Sequence, residues 1–160
     1  MTPYVVDTNV AIVANGGETT HADLACQLSC IEKLESVVEK NTIAIDSKHL
    51  ILEEYQRNLS TSGQPGPGDK FLKHILVSLH QDANVMTVSV TPYGDEQRGF
   101  EELPPNSLDP SDRKFLAVAV VAKAVILNAT DSDWNEQKSL MDGLGVKVEQ
   151  LCPQYARRRN

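Results

Sequence analysis

The sequence predicts an α/β protein with a mainly parallel sheet and helices on both faces. Three observations predict it. Short apolar β-type runs alternate with longer stretches of helical periodicity along the chain, the pattern of successive βαβ units. The first run, Tyr4-Val5-Val6, is continuously apolar, as in a strand buried on both faces, and delivers Asp7, Thr8 and Asn9 into a turn. A later run, Ala124-Val125-Ile126-Leu127, repeats the device for residues 128–133. In an open α/β sheet, ligands bind beyond the carboxyl ends of the strands, so two parallel neighbours bring Asp7 and Asp131 together there.

The elements follow in order. Val10-Ala11-Ile12-Val13 begins a short helix that Asn15-Gly16-Gly17 stops. Thr20 and Asp23 have capping-box spacing, and Leu24, Leu28, Ile31, Leu34 and Val38 then mark the inward face of a helix reaching about residue 40. Residues 42–46 form a second strand ending in Asp46. Ser47 caps the next helix, which turns Ile51, Leu52, Tyr55 and Leu59 inward. Residues 60–68, rich in glycine and proline, read as a flexible loop. Asp69 caps a helix carrying Phe71, Leu72, Ile75, Leu76 and Leu79 on one face, and residues 85–90 form a third strand. Residues 91–108 are a long irregular connection. Asp109-Pro110-Ser111-Asp112 opens a helix with an acid at the N-cap and proline at its first position, and the helix is almost wholly apolar from Phe115 to Ala124. The fourth strand follows, then a helix over about 132–142, stopped by Gly143 and Gly145, and a last strand over 146–151. Residues 153–160 are a basic tail ending Arg157-Arg158-Arg159.

Bulk properties narrow the function. The 160 residues suit one domain with its own core, and 41% hydrophobic with 23% charged residues is ordinary for a globular protein. No apolar run nears the roughly 20 residues that span a membrane, and no signal peptide is apparent, so the cytoplasm is the expected compartment. A formal charge of −7 argues against a protein that coats nucleic acid, but not against a nuclease with an acidic centre. The three cysteines, Cys26, Cys30 and Cys152, are odd in number and do not read as a disulfide framework. Cys26 and Cys30 can face each other on a helix, but no second ligand pair follows to complete a zinc site.

Acids at strand ends raise the question of which others join Asp7 and Asp131. On the helical wheel Glu54 lies nearer the apolar face than Glu53 and is the better candidate to reach an interior cleft. Spacing leaves Asp112 open between an N-terminal cap and a site residue, and the same holds for Asp131 and Asp133.

At this point the chain resembles the PIN-domain nucleases. Val5-Val6-Asp7-Thr8-Asn9 resembles their opening motif and Ile51-Leu52-Glu53-Glu54-Tyr55 their second. Residues 108–119, with Asp112 three residues before Phe115-Leu116, resemble the third, and residues 124–133 the fourth. Four motifs in order cover nearly the whole chain. The resemblance implies a Rossmann-like, three-layer α/β/α fold with five strands. It further implies a metal-dependent endoribonuclease with Asp7, Glu54, Asp112 and Asp131 as catalytic acids. Asp7, Asp112, Asp131 and Asp133 are then the metal ligands, for Mg²⁺ or Mn²⁺, the hard cations that an oxygen-rich site suits. Thr8, Asn9, Lys48 and Arg113 are the expected substrate-side residues, with Lys114 beside them.

RNA is the implied substrate. Many small single-domain relatives are toxins of toxin–antitoxin pairs, so an antitoxin or other regulatory protein and a homodimer are the implied partners. A defence or RNA-processing nuclease fits the residues equally. The alternative is a non-catalytic PIN-like module that binds RNA or a protein. A haloacid-dehalogenase phosphatase would need an aspartate where Asn9 stands, and a receiver domain would need a lysine near the end of the fourth strand.

Overall fold

The computed structural model describes residues 2–17, 21–79 and 84–156. Five parallel strands, β1 (Pro3–Val6), β2 (Thr42–Asp46), β3 (Val85–Val88), β4 (Val125–Asn128) and β5 (Val148–Gln150), form one sheet in the order β3-β2-β1-β4-β5. The order runs outward from β1 to β3, then returns to the other side of β1 for β4 and β5. This reversal makes the β1/β4 seam the switch point of the sheet. Right-handed connections place the helices between β1 and β3 on one face and those between β3 and β5 on the other.

On the first face lie α1 (Thr8–Asn15), α2 (Leu24–Lys40), α3 (Leu50–Asn58) and α4 (Pro67–Ser78), with α1 packed against both α2 and α4. The α1–α4 contact is close enough to require glycine: a Cβ on Gly68 would fall 2.0 Å from the carbonyl oxygen of Ala11. The opposite face holds α5 (Arg113–Ala122), which packs across β1, β2, β3 and β4 and buries Phe115 through Ala119 completely. After β4 come α6 (Asp133–Glu136) and α7 (Lys138–Leu144), and α8 (Pro153–Ala156) follows β5. Among the described residues no helix is long and apolar enough to cross a membrane.

Several local expectations are corrected. Asp23 itself caps α2, accepting from the Cys26 amide at 2.8 Å, while Thr20 lies outside the described residues. The inward face of α2 is rotated from the leucine stripe: Cys26, Cys30, Leu34 and Val37 are buried, whereas Leu24 is 68% and Leu28 48% exposed. The α3 cap is Asp46 and not Ser47. Its fully buried carboxylate accepts from the Leu50 and Ile51 amides at 2.8 and 2.9 Å, with His49 left-handed at φ 64°. Helix α4 starts at Pro67, so the preceding loop is shorter than its composition suggested. Asp69, in the first turn, ties that loop down by accepting from the amides of Ser60 and Gly66. The expected helix over 132–142 is two short helices, and Gly143 lies within the second; Gly145, at φ 71°, ends it. Residues 153–156 of the expected tail are the helix α8, and the three arginines lie outside the described residues.

The cysteine reading is also overturned. Cys26 and Cys152 are joined by a disulfide across 126 positions of sequence. Spacing could not show this, because the bond depends on the chain returning past β5 to the start of α2. Cys30 is the free, buried thiol beside it, and burial pushes its pKa up to about 12. All three sulfurs lie within 4.8 Å of one another, but two are spent on the disulfide.

The connection over 91–108 is folded onto the protein. Phe100, Leu103 and Leu108 are buried, and Pro92 and Phe100 form an antiparallel bridge.

Candidate active site

The crevice beyond the carboxyl ends of β1 and β4 is built by residues that follow the strands directly. Asp7 succeeds β1, and its amide donates to the Leu127 carbonyl at 3.1 Å, so the strand pairing itself fixes its position. Its side chain caps α1, one oxygen accepting from the Asn9 amide at 3.2 Å. Asp131 lies in the turn after β4. Asp112 ends a single 3-10 turn, Pro110–Asp112, whose N-cap Asp109 accepts from the Ser111 amide at 2.9 Å. The local cap is thus Asp109, which leaves Asp112 free to turn inward.

One carboxylate oxygen from each of Asp7, Asp112 and Asp131 lies within 4.8 Å of the other two. Asp7 and Asp112 are buried and Asp131 half-buried. Burial and mutual repulsion act in the same direction on such a group. Asp7 is raised to about 6, first by desolvation and then by the charges of Asp131 and Glu54, against the lowering effect of its hydrogen bonds. Asp112 is raised to about 8 by desolvation and by Asp7 and Asp131, and Asp131 is raised mainly by desolvation. An all-oxygen set whose ionised form is this costly invites a compensating cation, and the hard divalent ions match such donors.

Glu54 and Asp133 are charged neighbours of this triad, acting on Asp7 and Asp112 respectively. The hydroxyl of the buried Tyr55 donates to the carbonyl of Val6, pinning α3 under the end of β1 and bringing Glu54 to the crevice rim. There one Glu54 oxygen accepts from the Thr8 hydroxyl and the other from Lys114 Nζ at 2.7 Å. The Asp133 amide donates to the Asp131 carboxylate at 2.9 Å.

The expected substrate-side residues divide. Lys48 is exposed in the turn after β2. Thr8 is buried and bonded to Glu54. Asn9 is spent on the protein itself: its amide group donates to Asn128 at 2.9 Å, and its oxygen accepts from the Ala129 and Thr130 amides. Arg113 turns away from the crevice into the 91–108 connection. There its guanidinium donates to the Glu96 carbonyl at 2.7 Å, the Asn106 carbonyl at 3.1 Å and the Asn106 side chain at 3.2 Å. Both were placed on the substrate by their neighbours in sequence, and both are used by the fold.

Two site residues escaped sequence reasoning. Asn128, fully buried at the end of β4, accepts from Asn9 and donates to the Asp131 carbonyl and the Gln150 side chain, each at 2.7 Å, so it shapes the turn that carries Asp131. Trp134 donates its indole N–H to the second oxygen of Asp7 at 2.7 Å. A polar residue closing a buried strand was a visible signal for Asn128; nothing in the sequence pointed Trp134 toward Asp7.

No family model and no curated protein matches the chain. One match among solved structures is the crystal structure of VapBC2 from Rickettsia felis bound to a DNA fragment from its promoter. It is 18% identical, with a TM-score of 0.47, over 92% of this chain and 98% of the other.

Proposed function

We propose that the chain is a PIN-like, metal-dependent endoribonuclease that hydrolyses RNA phosphodiester bonds at the Asp7–Asp112–Asp131 crevice. The supporting observation is the convergence of three carboxylates, two buried and one half-buried, within 4.8 Å at the switch point of a parallel sheet. The four sequence motifs supply the ribonuclease class. Asp7, Asp112 and Asp131 would hold Mg²⁺ or Mn²⁺, with Asp133 as an outer acid. When bound, the cation supplies charge neutralisation at the phosphate and a more acidic water. The water oxygen joins phosphorus as the bond to the 3′ oxygen breaks, an ionised carboxylate of the crevice takes the water proton, and the departing 3′ oxygen takes a proton from solvent. Glu54, fixed by Thr8 and Lys114, orients groups at the rim. Lys48 is the exposed cation for the RNA backbone. On the same resemblance, a regulatory protein of the antitoxin kind is the proposed partner.

One feature favours the alternative of a non-catalytic binding module: Glu54 is already neutralised by Lys114. Cleavage of a mixed single-stranded and structured RNA pool in Mg²⁺, Mn²⁺ or EDTA, with Asp7→Asn alongside, separates the two. Metal-dependent cutting that the variant loses is the expected result. Cutting retained by a folded, contaminant-free Asp7→Asn protein would refute the assignment. Folded wild type that cuts nothing but still binds RNA would favour the module.

A further inference from the structure

We propose that Trp134 is a positioning residue of the crevice, whose indole holds one oxygen of Asp7 so that the carboxylate meets a cation through the other. The inference rests on reading the acids as a cation site. A buried tryptophan needs an acceptor for its N–H, and a backbone carbonyl would serve. Here, at 1% exposure, the acceptor is instead the carboxylate central to the site, at 2.7 Å and across 127 positions of sequence. Among the described residues the other Asp7 oxygen accepts from the Asn9 amide alone, at the longer distance of 3.2 Å. With one oxygen held short and the other held weakly, rotation of the carboxylate is stopped and chelation through both oxygens is disfavoured.

Position in the chain gives the contact its meaning. Asp131, Asp133 and Trp134 belong to one short segment after β4, while Asp7 follows β1. That segment therefore presents one acid of the triad and braces another, locking the two sides of the β1/β4 seam into a single geometry. Outer hydrogen bonds of this kind change metal affinity about 10–100-fold when removed.

Trp134 is the single tryptophan of the sequence, so the protein has one indole N–H resonance. In the full chain, titration with Mg²⁺ is expected to shift that resonance in step with the rise in melting temperature, and substoichiometric Mn²⁺ to broaden it away. Trp134→Phe, which keeps an aromatic ring but has no donor, is expected to bind Mg²⁺ about 10–100-fold more weakly. The proposal is overturned if the indole resonance stays put while Mg²⁺ raises the melting temperature, a result that needs no folded variant. Equal Mg²⁺ affinity in Trp134→Phe overturns it as well. A wild-type protein with no response to either ion removes the cation site and this inference with it, an outcome distinct from the other two.

Discussion

Nζ of Lys114, in the first turn of α5, lies 2.7 Å from Oε1 of Glu54 on α3 and donates also to the Ser111 carbonyl at 2.6 Å. The pair joins the two faces of the protein at the rim of the crevice, with side chains 12% and 16% exposed. Burial at this level sits between surface pairs, which contribute little, and fully buried pairs, whose breakage costs several kcal/mol. Lys114→Met is therefore expected to destabilise the protein by about 2 kcal/mol, because Glu54 is left beside the triad without its cation. Adding Glu54→Gln should recover part of the loss. Urea denaturation of the four proteins in the cycle measures the coupling, and a value near zero would mean the contact is geometric only.

Stability without metal should fall as pH rises. Asp7, raised to about 6, and Asp112, raised to about 8, bind protons more tightly in the folded chain than in the unfolded one, where they titrate near 3.8. Between 3.8 and 8 the native state thus carries the excess protons, and stability declines with each increment of pH. The melting temperature in EDTA is expected to drop from pH 5 to pH 8. Asp112→Asn should flatten the upper part of that decline. Saturating Mg²⁺ should oppose the decline in the wild type, since a bound cation favours the ionised acids. A profile of Asp112→Asn superimposable on the wild type would contradict the placement.

Arg113 anchors the 91–108 connection through three acceptors that match its planar fork. Lysine cannot reproduce that geometry, and the acceptors on Glu96 and Asn106 would lose partners. Arg113→Lys is expected to cost about 2 kcal/mol and to quicken proteolysis within 91–108 well before the rest of the chain. Limited digestion followed by mass mapping reads both the rate and the place.

Loss of the Cys26–Cys152 bond should matter more than loss of the Cys30 thiol. Closing a loop across 126 positions restricts the unfolded chain, and removal of such a bond costs roughly 2–5 kcal/mol. The Cys26→Ser/Cys152→Ser protein is therefore expected to unfold at clearly lower guanidinium than the wild type. A reducing agent should shift the wild-type curve the same way and leave the double variant unchanged. Coincident curves for all four conditions would argue against the bond.

What the sequence made legible was local in origin. A continuous apolar run followed at once by an acid marks a buried strand and its end, which is how Asp7 and Asp131 were found. The wheel separated Glu54 from Glu53 for the same reason, and the structure leaves Glu53 exposed and Glu54 half-buried. The wheel misled on α2, where two small buried cysteines outweighed two leucines, because packing against α1 and α4 set the rotation and not the size of the apolar side chains. Asp112 needed a second acid, Asp109, to take the capping role before it could turn inward. Arg113 and Asn9 were read from their neighbours in sequence, whereas their partners were residues 96–106 and 128–130. Trp134 and the disulfide are contacts across more than 120 positions, and no period or spacing encodes those.

The bond between Cys26 and Cys152 turns most of the polypeptide into a closed ring, and β1 and α1 lie outside it. The strand that carries Asp7 is thus a guest, slotted between β2 and β4 of a ring that is complete without it. Under tension applied at the two termini, force runs through the sulfur bridge. The 126 residue steps of the ring, roughly 430 Å of contour at about 3.4 Å each, stay hidden until a reductant cuts it. Pulled in that way, the chain would surrender its central strand first, and with it one wall of the acidic crevice, while the remaining four strands stayed within the ring.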